Sequence, residues 1–203
     1  MSREASRITA LVMAAGQGRR FGDGNKLLAD LDGRPLLRRA VEAALGSRVR
    51  ETIVVTGHDR AAVEEALAGL PVAFTHNPEF ADGLATSLRA GLAAATDADG
   101  IVVLLGDMPG VSSRIVDQLI AAFAEAPASP AVFPMRDGRR GNPVLLARAL
   151  FPRLFALQGD EGARRLLSDA EGVIEVTVDD DGVLADVDAP GDLARICALV
   201  RRS

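Results

Sequence analysis

The chain has 203 residues, of which 48% are hydrophobic and 25% charged, so it can form one sizeable globular domain. A net charge of −5 and the absence of Trp and Tyr argue against nucleic-acid binding, which needs a basic surface and aromatic side chains that stack on bases. No apolar run approaches the roughly 20 residues of a membrane helix, and no signal peptide is recognisable, so we expect a cytoplasmic protein without a membrane partner.

Short apolar runs alternate with helical patterns along the chain. Strands are predicted at Ile8–Met13, Thr52–Val55, Val72–Thr75, Ile101–Leu105, Ala131–Pro134, Asn142–Leu146 and Val173–Val178. Helices are predicted at Arg34–Leu45, Arg60–Leu67, Leu84–Ala95, Ser112–Ala124, Glu161–Ser168 and Gly191–Arg201. This alternation is typical of an α/β fold, with a mostly parallel sheet and helices on both faces. Ligands of such sheets bind beyond the carboxyl ends of the strands.

The loop after the first strand is rich in small and basic residues. It reads Ala14-Ala15-Gly16-Gln17-Gly18-Arg19-Arg20-Phe21-Gly22, and Lys26 follows. Small side chains let backbone N–H groups approach phosphate oxygens, and Arg and Lys neutralise their charge. The loop lacks the Gly-Lys-Ser/Thr ending of a P-loop and the glycine spacing of a dinucleotide fingerprint. The alternative is a loop whose basic residues are simply exposed.

Two acidic segments are candidates for a metal site. Asp107 follows the most apolar strand of the chain, and a carboxylate there suits Mg²⁺, which takes one or two carboxylates together with phosphate oxygens and water. The alternative is a turn Asp before a proline. Asp186 and Asp188 alternate along an extended segment, so only one of them can face the same crevice as Asp107. Either could instead cap the last helix, where Asp192 is a first-turn acid.

Other catalytic chemistries have little support in the sequence. Cys197 is the single cysteine, and its place in a helical apolar pattern indicates core packing. His58 and His76 are the two histidines, and neither has a Cys or His partner at metal-ligand spacing. Without a Ser–His–acid set, nucleophilic hydrolysis is not indicated.

Seven short segments occur in a characteristic order over nearly the whole chain. They are Ala14-Ala15-Gly16-x-x-x-Arg20-Phe21-Gly22 with Lys26, Gly33-Arg34-Pro35-Leu36-Leu37, Asn77-Pro78 with Gly83 to Ser87-Leu88, Gly106-Asp107-Met108-Pro109, Gly141-Asn142-Pro143-Val144, Gly159-Asp160-x-Gly162-Ala163-Arg164 and Asp186-Val187-Asp188-Ala189-Pro190. Together they resemble the MobA-like NTP transferase family and, within it, the molybdenum cofactor cytidylyltransferase branch.

The resemblance implies a single Rossmann-like nucleotidyltransferase domain over residues 1–203 and an Mg²⁺-dependent reaction. It implies that Arg20 and Lys26 stabilise charge on the triphosphate. It also implies that Asp107 and Asp188 hold Mg²⁺ from two sides of the crevice. The residues implied to bind the nucleotide are Ala14, Ala15, Gly16, Gly18, Gly83 and Ser87, and those implied to line the acceptor side are Gly141 and Asn142.

The implied reaction transfers CMP from CTP, or from another NTP, to a molybdopterin-type cofactor and releases pyrophosphate. The modified cofactor would then pass to a client molybdoenzyme. Cytosine is the expected base because the Ala15 methyl narrows the space beside the base, where family members that use guanine carry Gly. Three alternatives stay open: another phosphorylated acceptor (a sugar, an alditol or phospholactate), an NAD(P)H-dependent reductase of the same branch, and a non-catalytic cofactor chaperone. Reduction would not need the Asp107 and Asp188 pair.

Overall fold

The structure, a computed structural model, describes residues 6–18, 21, 24–160, 162, 166–167 and 170–201. One sheet contains the strands β1 (Ile8–Ala14), β2 (Glu51–Thr56), β3 (Ala73–His76), β4 (Gly100–Leu105), β5 (Ala131–Arg136), β6 (Arg139–Arg140), β7 (Val144–Ala147) and β8 (Ile174–Thr177). The α-helices within these residues are α1 (Leu36–Leu45), α2 (Arg60–Ala66), α3 (Leu84–Ala94), α4 (Ser113–Glu125), α5 (Phe151–Phe155) and α6 (Asp192–Val200). None of them has the length and apolar character needed to cross a membrane.

The strand order places the carboxyl ends of β1 and β4 side by side. The order is β3-β2-β1-β4-β7-β5-β6, and β8 pairs with β5. Strands β1 to β4 are parallel, β7 runs antiparallel between β4 and β5, and β8 is parallel to β5. The sheet is therefore mostly parallel, as predicted. The chain leaves β1 on one side to β2 and returns on the other as β4, so a crevice opens beyond these two strand ends.

Strand β1 is buried along its whole length because helices cover both faces of the sheet. Ala10 and Val12 belong to the apolar layer that contains α1, whereas Leu11 and Met13 belong to the layer that contains α3. This is the period-2 alternation of a strand. Full burial of an aliphatic side chain contributes roughly 1.5–3 kcal/mol. The two layers therefore fix the strand ends from which the crevice loops emerge.

The predicted strands and most predicted helices are confirmed in order, with small shifts at their ends. Strand β7 begins at Val144 rather than at Asn142, and the short helix α5 was not predicted. Ser112 occupies the N-cap position of α4, but its side chain forms no capping hydrogen bond. Most of the helix predicted at Glu161–Ser168 lies outside the described residues.

Gly83 brings the N-terminus of α3 against the backbone of residues 159 and 160. Its φ is +107°, in a region that favours glycine. A Cβ at this position would lie 2.3 Å from the carbonyl carbon of Gly159. The Ala85 N–H donates to the Gly159 carbonyl oxygen at 3.0 Å, so the contact also satisfies a donor in the first turn of the helix.

Replacing Gly83 with Ala is expected to lower the free energy of unfolding by about 2–5 kcal/mol, because a steric clash adds to the cost of the positive φ. Gly69→Ala is the matched control, since Gly69 has a φ of +81° but a Cβ there would meet nothing within 4 Å. It should cost only about 1–2 kcal/mol. Urea unfolding of both variants and the wild type measures the difference, and equal losses would contradict the close approach.

Candidate functional site

A cleft of about 450 Å³ opens beyond the carboxyl ends of β1 and β4. The loop after β1, the end of β4 and the beginning of α3 contribute to its lining. The predicted site residues that line it are Ala15, Gly16, Gly18, Lys26, Gly83, Ser87 and Asp107. The cleft is where a parallel α/β sheet is expected to bind its ligand.

The loop after β1 leaves room in the cleft. A Cβ on Gly16 would meet nothing within 4 Å, and Gly18, at a φ of +57°, lies against the aliphatic part of Lys26. Backbone amides in such a glycine-rich turn suit phosphate oxygens. The predicted nucleotide-binding residue Ala14 does not line the cleft, because the whole residue is buried in the core beside α1. The predicted Arg20 lies outside the described residues.

The Lys26 ammonium joins three segments that are far apart in the sequence. Its Nζ lies 2.6 Å from Oδ2 of Asp107 and 3.5 Å from Oδ1 of Asp188. It also donates a hydrogen bond to the Val187 carbonyl oxygen at 3.1 Å. The Lys26 and Asp107 side chains are only 15% and 19% exposed, so their attraction is weakly screened by solvent. We call Lys26, Asp107 and Asp188 the charged cluster.

Backbone geometry fixes two members of the charged cluster. Lys26 begins a short 3-10 turn that Asn25 caps, with its Oδ1 accepting a backbone N–H at 3.0 Å. Asp107 follows Gly106, and a Cβ on Gly106 would lie 2.8 Å from the Met13 carbonyl oxygen. The glycine therefore lets the end of β4 pass close to β1. This close passage brings the Asp107 carboxylate to the cleft.

Asp188, the third member of the charged cluster, is positioned by the segment that precedes α6. The Val187 N–H donates to the Asp107 carbonyl oxygen at 3.0 Å, which brings this segment to the end of β4. The Asp192 carboxylate accepts the N–H groups of Ala189 and Asp188 at 2.9 and 3.0 Å, and these bonds lower the pKa of Asp192 below its usual value. Asp192 is thus the first-turn acid of α6, as predicted. The Asp188 side chain is left to face the ammonium.

The donor set of the charged cluster fits a hard divalent cation. Among the described residues, the carboxylates within 4 Å of the Lys26 ammonium are those of Asp107 and Asp188. Two carboxylates that share one cation match the protein ligands that Mg²⁺ takes when phosphate oxygens and water complete its octahedron. Asp186 and Asp188 are both exposed to solvent, and Asp188 is the one whose carboxylate reaches the Lys26 ammonium.

A buried polar network that the sequence did not reveal lies behind the wall formed by α3. Asn77 is 3% exposed, and its Nδ2 donates to the hydroxyl oxygens of Thr86 and Ser87 at 2.8 and 2.9 Å. Its Oδ1 accepts the Glu79 N–H at 2.9 Å. The amide therefore ties the end of β3 to the first turns of α3. The available signal was the Asn77-Pro78 pair, which belongs to one of the seven segments but has no evident role in the sequence.

Two predicted acceptor residues lie away from this cleft, and one further residue joins it. Gly141 packs so closely on Val183 that a Cβ would lie 2.5 Å from the Val183 carbonyl oxygen. The Asn142 N–H donates to the same oxygen at 2.8 Å. Neither residue lines the cleft. Asp160 does line it, because the contact of its neighbour Gly159 with Gly83 brings it there, and no site role was predicted for it.

Comparison with known sequences identifies the family of the chain. The sequence pattern of the MobA-like NTP transferase domain matches residues 10–173. The chain is 30% identical over 195 residues to nicotine blue oxidoreductase from Paenarthrobacter nicotinovorans, covering 93% of this chain and 96% of that protein. It is 32% identical over 204 residues to molybdenum cofactor guanylyltransferase from Cereibacter sphaeroides, covering 97% and 98%.

Solved structures share the fold over almost its whole length. A nucleotidyl transferase from Methanothermobacter thermautotroptrophicus has a TM-score of 0.82 at 28% identity and covers 97% of this chain and 98% of its own. The manganese complex of Rv0371c from Mycobacterium tuberculosis H37Rv has a TM-score of 0.77 at 28% identity, with coverages of 95% and 99%. Since the domain pattern also spans most of the sequence, the chain belongs to the MobA-like NTP transferase family.

Proposed function

We propose that residues 1–203 form one Mg²⁺-dependent nucleotidyltransferase domain that transfers CMP from CTP to a molybdopterin-type cofactor and releases pyrophosphate. The observation that carries the proposal is the Lys26 ammonium, 2.6 Å from Asp107 and 3.5 Å from Asp188, beside a glycine-rich loop. The relative named as a molybdenum cofactor guanylyltransferase supports the class of acceptor. A cytoplasmic location and transfer of the product to a client molybdoenzyme complete the proposal.

The proposed reaction exchanges one phosphoanhydride bond for another. A phosphate oxygen of the acceptor forms a bond to the α-phosphorus of CTP, and the bond from that phosphorus to the oxygen bridging to the β-phosphorus breaks. Pyrophosphate leaves with the electron pair. Such transfers need little covalent help from the protein, so positioning and charge neutralisation supply the catalysis. Lys26 contributes one positive charge, and we assign a second to Arg20 in the same loop.

Asp107 and Asp188 would hold Mg²⁺, because they are the carboxylates that converge on one cationic group. Bound Mg²⁺ would neutralise phosphate charge and polarise phosphoryl oxygens. Lys26 would then exchange the carboxylates for phosphate oxygens of the nucleotide. The manganese complex of Rv0371c, a protein 28% identical to this chain, supports divalent-cation binding in this fold.

The remaining assignments place the nucleotide in the cleft and the acceptor beside the Val183 segment. The backbone of the loop from Ala15 to Gly18 would bind the triphosphate. Base recognition is assigned to Ala15, Gly83 and Ser87 on the α3 side, where cytosine offers an amino donor and a ring acceptor. Gly141 and Asn142 would act on the acceptor side through the Val183 backbone, which they contact.

A pyrophosphate-release assay with CTP, GTP, ATP and UTP, each with and without molybdopterin, tests the proposal. Release only with a sugar, alditol or phospholactate acceptor would preserve the class and change the substrate. The 30% identity to nicotine blue oxidoreductase makes a reductase the second candidate, and NAD(P)H consumption without an NTP would identify it. Cofactor binding without either reaction would indicate a chaperone.

Removing either carboxylate charge should abolish most turnover. Asp107→Asn and Asp188→Asn keep the side-chain shape, and each is expected to lower kcat by about 10²-fold or more, since several kcal/mol of charge stabilisation is lost. Asp186→Asn is the matched control and should retain the wild-type rate. Steady-state kinetics at saturating Mg²⁺, with circular dichroism for the fold, measures both. A near-normal rate for Asp188→Asn would remove Asp188 from the site.

Lys26→Met should have opposite effects on turnover and on metal binding. Loss of the ammonium should lower kcat as well as weaken CTP binding, because charge stabilisation of the transition state is lost. In the nucleotide-free variant the two carboxylates lose their shared counter-ion, so Mn²⁺ should bind more tightly than to the wild type, as measured by electron paramagnetic resonance. A raised KM with unchanged kcat would mean that Lys26 stabilises the bound substrate and the transition state equally.

The base preference should depend on the Ala15 methyl group, which lies against Gly57 beside the cleft. We expect CTP to exceed GTP in kcat/KM by about tenfold to a hundredfold, because buried polar groups are left unpaired by the wrong base. Ala15→Gly should reduce this ratio without abolishing activity. Equal use of GTP by the wild type would contradict cytidylyl transfer and leave the nucleotidyltransferase class intact.

A further inference from the structure

The Asn77 amide has one possible orientation in its buried network. Its Oδ1 accepts the Glu79 N–H at 2.9 Å, so the NH₂ group must face the hydroxyls of Thr86 and Ser87. An amide NH₂ carries two protons and accepts nothing. Each proton is therefore used on one hydroxyl oxygen. Asn77 is 3% exposed, so water cannot easily substitute for either partner.

The two hydroxyls that accept from Asn77 differ in what their own protons can reach. Thr86 Oγ1 lies 2.9 Å from the Glu79 carbonyl oxygen and 2.8 Å from the Gly83 carbonyl oxygen, so its proton is satisfied by the backbone. Ser87 Oγ accepts from Asn77 at 2.9 Å and finds no acceptor for its proton among the described residues. Ser87 lines the cleft and is 5% exposed. A buried donor of this kind is set to donate to whatever fills the cleft.

We propose that Asn77 is a positioning residue that holds the Ser87 hydroxyl as a hydrogen-bond donor towards the nucleobase. The site then selects a base that presents an acceptor to α3, and cytosine offers its ring N3 and its O2. This role rests on the proposed nucleotide site. It means that the α3 side of the cleft donates a hydrogen bond to the base rather than accepting one. Asn77 itself does not line the cleft, so it acts through Ser87.

The test compares affinity for CTP with affinity for inorganic tripolyphosphate, which has no base. Isothermal titration calorimetry with Mg²⁺ and without acceptor gives both dissociation constants. The affinity for CTP divided by the affinity for tripolyphosphate reports the contribution of the nucleoside. This ratio cancels changes that act on the phosphates. In Ser87→Ala this ratio should fall about three- to tenfold, the value of one net hydrogen bond.

Asn77→Asp reverses the direction of the hydrogen bond between residue 77 and Ser87, with little change in the shape of the side chain. A carboxylate oxygen replaces the NH₂ group, so the Ser87 proton turns to it and lone pairs face the cleft. The ratio should fall about tenfold or more. In the double variant with Ser87→Ala, the ratio should equal that of Ser87→Ala alone within about twofold. Asn77→Ala, which removes the donor without adding a charge, gives the same coupling test if Asn77→Asp does not fold.

Thr86→Val is the matched control, because it removes the other hydroxyl that accepts from Asn77. It should lower the Tm and leave the ratio unchanged. An unchanged ratio in Ser87→Ala, or an Asn77 effect that persists in full without Ser87, would overturn the inference. A wild type that binds no nucleotide more tightly than tripolyphosphate would overturn the proposed nucleotide site itself. If GTP binds best, the same ratios measured with GTP decide the role of Ser87, because guanine also presents acceptors.

Discussion

The site depends on one constraint: two carboxylates from distant parts of the chain share a single ammonium. Asp107 and Asp188 would repel each other without Lys26, and leaving the partly buried Asp107 carboxylate without its cation would be costly. The same ammonium binds the Val187 carbonyl oxygen, so charge and backbone are held together. Under the proposed function, the lysine is a counter-ion that substrate phosphates and a metal would replace. This arrangement keeps the strand-end loops in place while the cleft holds no nucleotide.

Glycines determine how closely those loops approach. Gly106 lets β4 end against the backbone of β1, and Gly83 lets α3 begin against the backbone of residues 159 and 160. Any side chain at either position would push a lining element outwards. The charged cluster and the α3 wall would then be too far apart to act on one ligand. The apolar layers position the strands, but these backbone contacts set the width of the cleft.

The elements and the location of the site could be predicted from the sequence, because alternation in apolar patterning is a local property. The antiparallel insertion of β7 could not, since strand order depends on contacts between distant segments. For the same reason the residues alone did not distinguish Asp188 from Asp186 as the partner of Asp107, and the contact of Asp188 with Lys26 separates them in the structure. The role of Asn77 could not be predicted because its side-chain hydrogen-bond partners Thr86 and Ser87 belong to another element. The acceptor residues Gly141 and Asn142 remain a prediction.

The two residues predicted to line the acceptor side contact a segment that leads to the charged cluster. Gly141 and Asn142 lie on the Val183 backbone, and the same segment continues to Val187 and the charged cluster. An acceptor that presses on residues 141 and 142 would therefore act on the backbone that carries Asp188. The nucleotide side, in contrast, depends on β1, β4 and α3, which belong to the all-parallel part of the sheet. Under the proposed function, a change on the acceptor side would therefore reach the charged cluster through Asp188, whereas the parallel strands and α3 would keep the rest of the cleft in place.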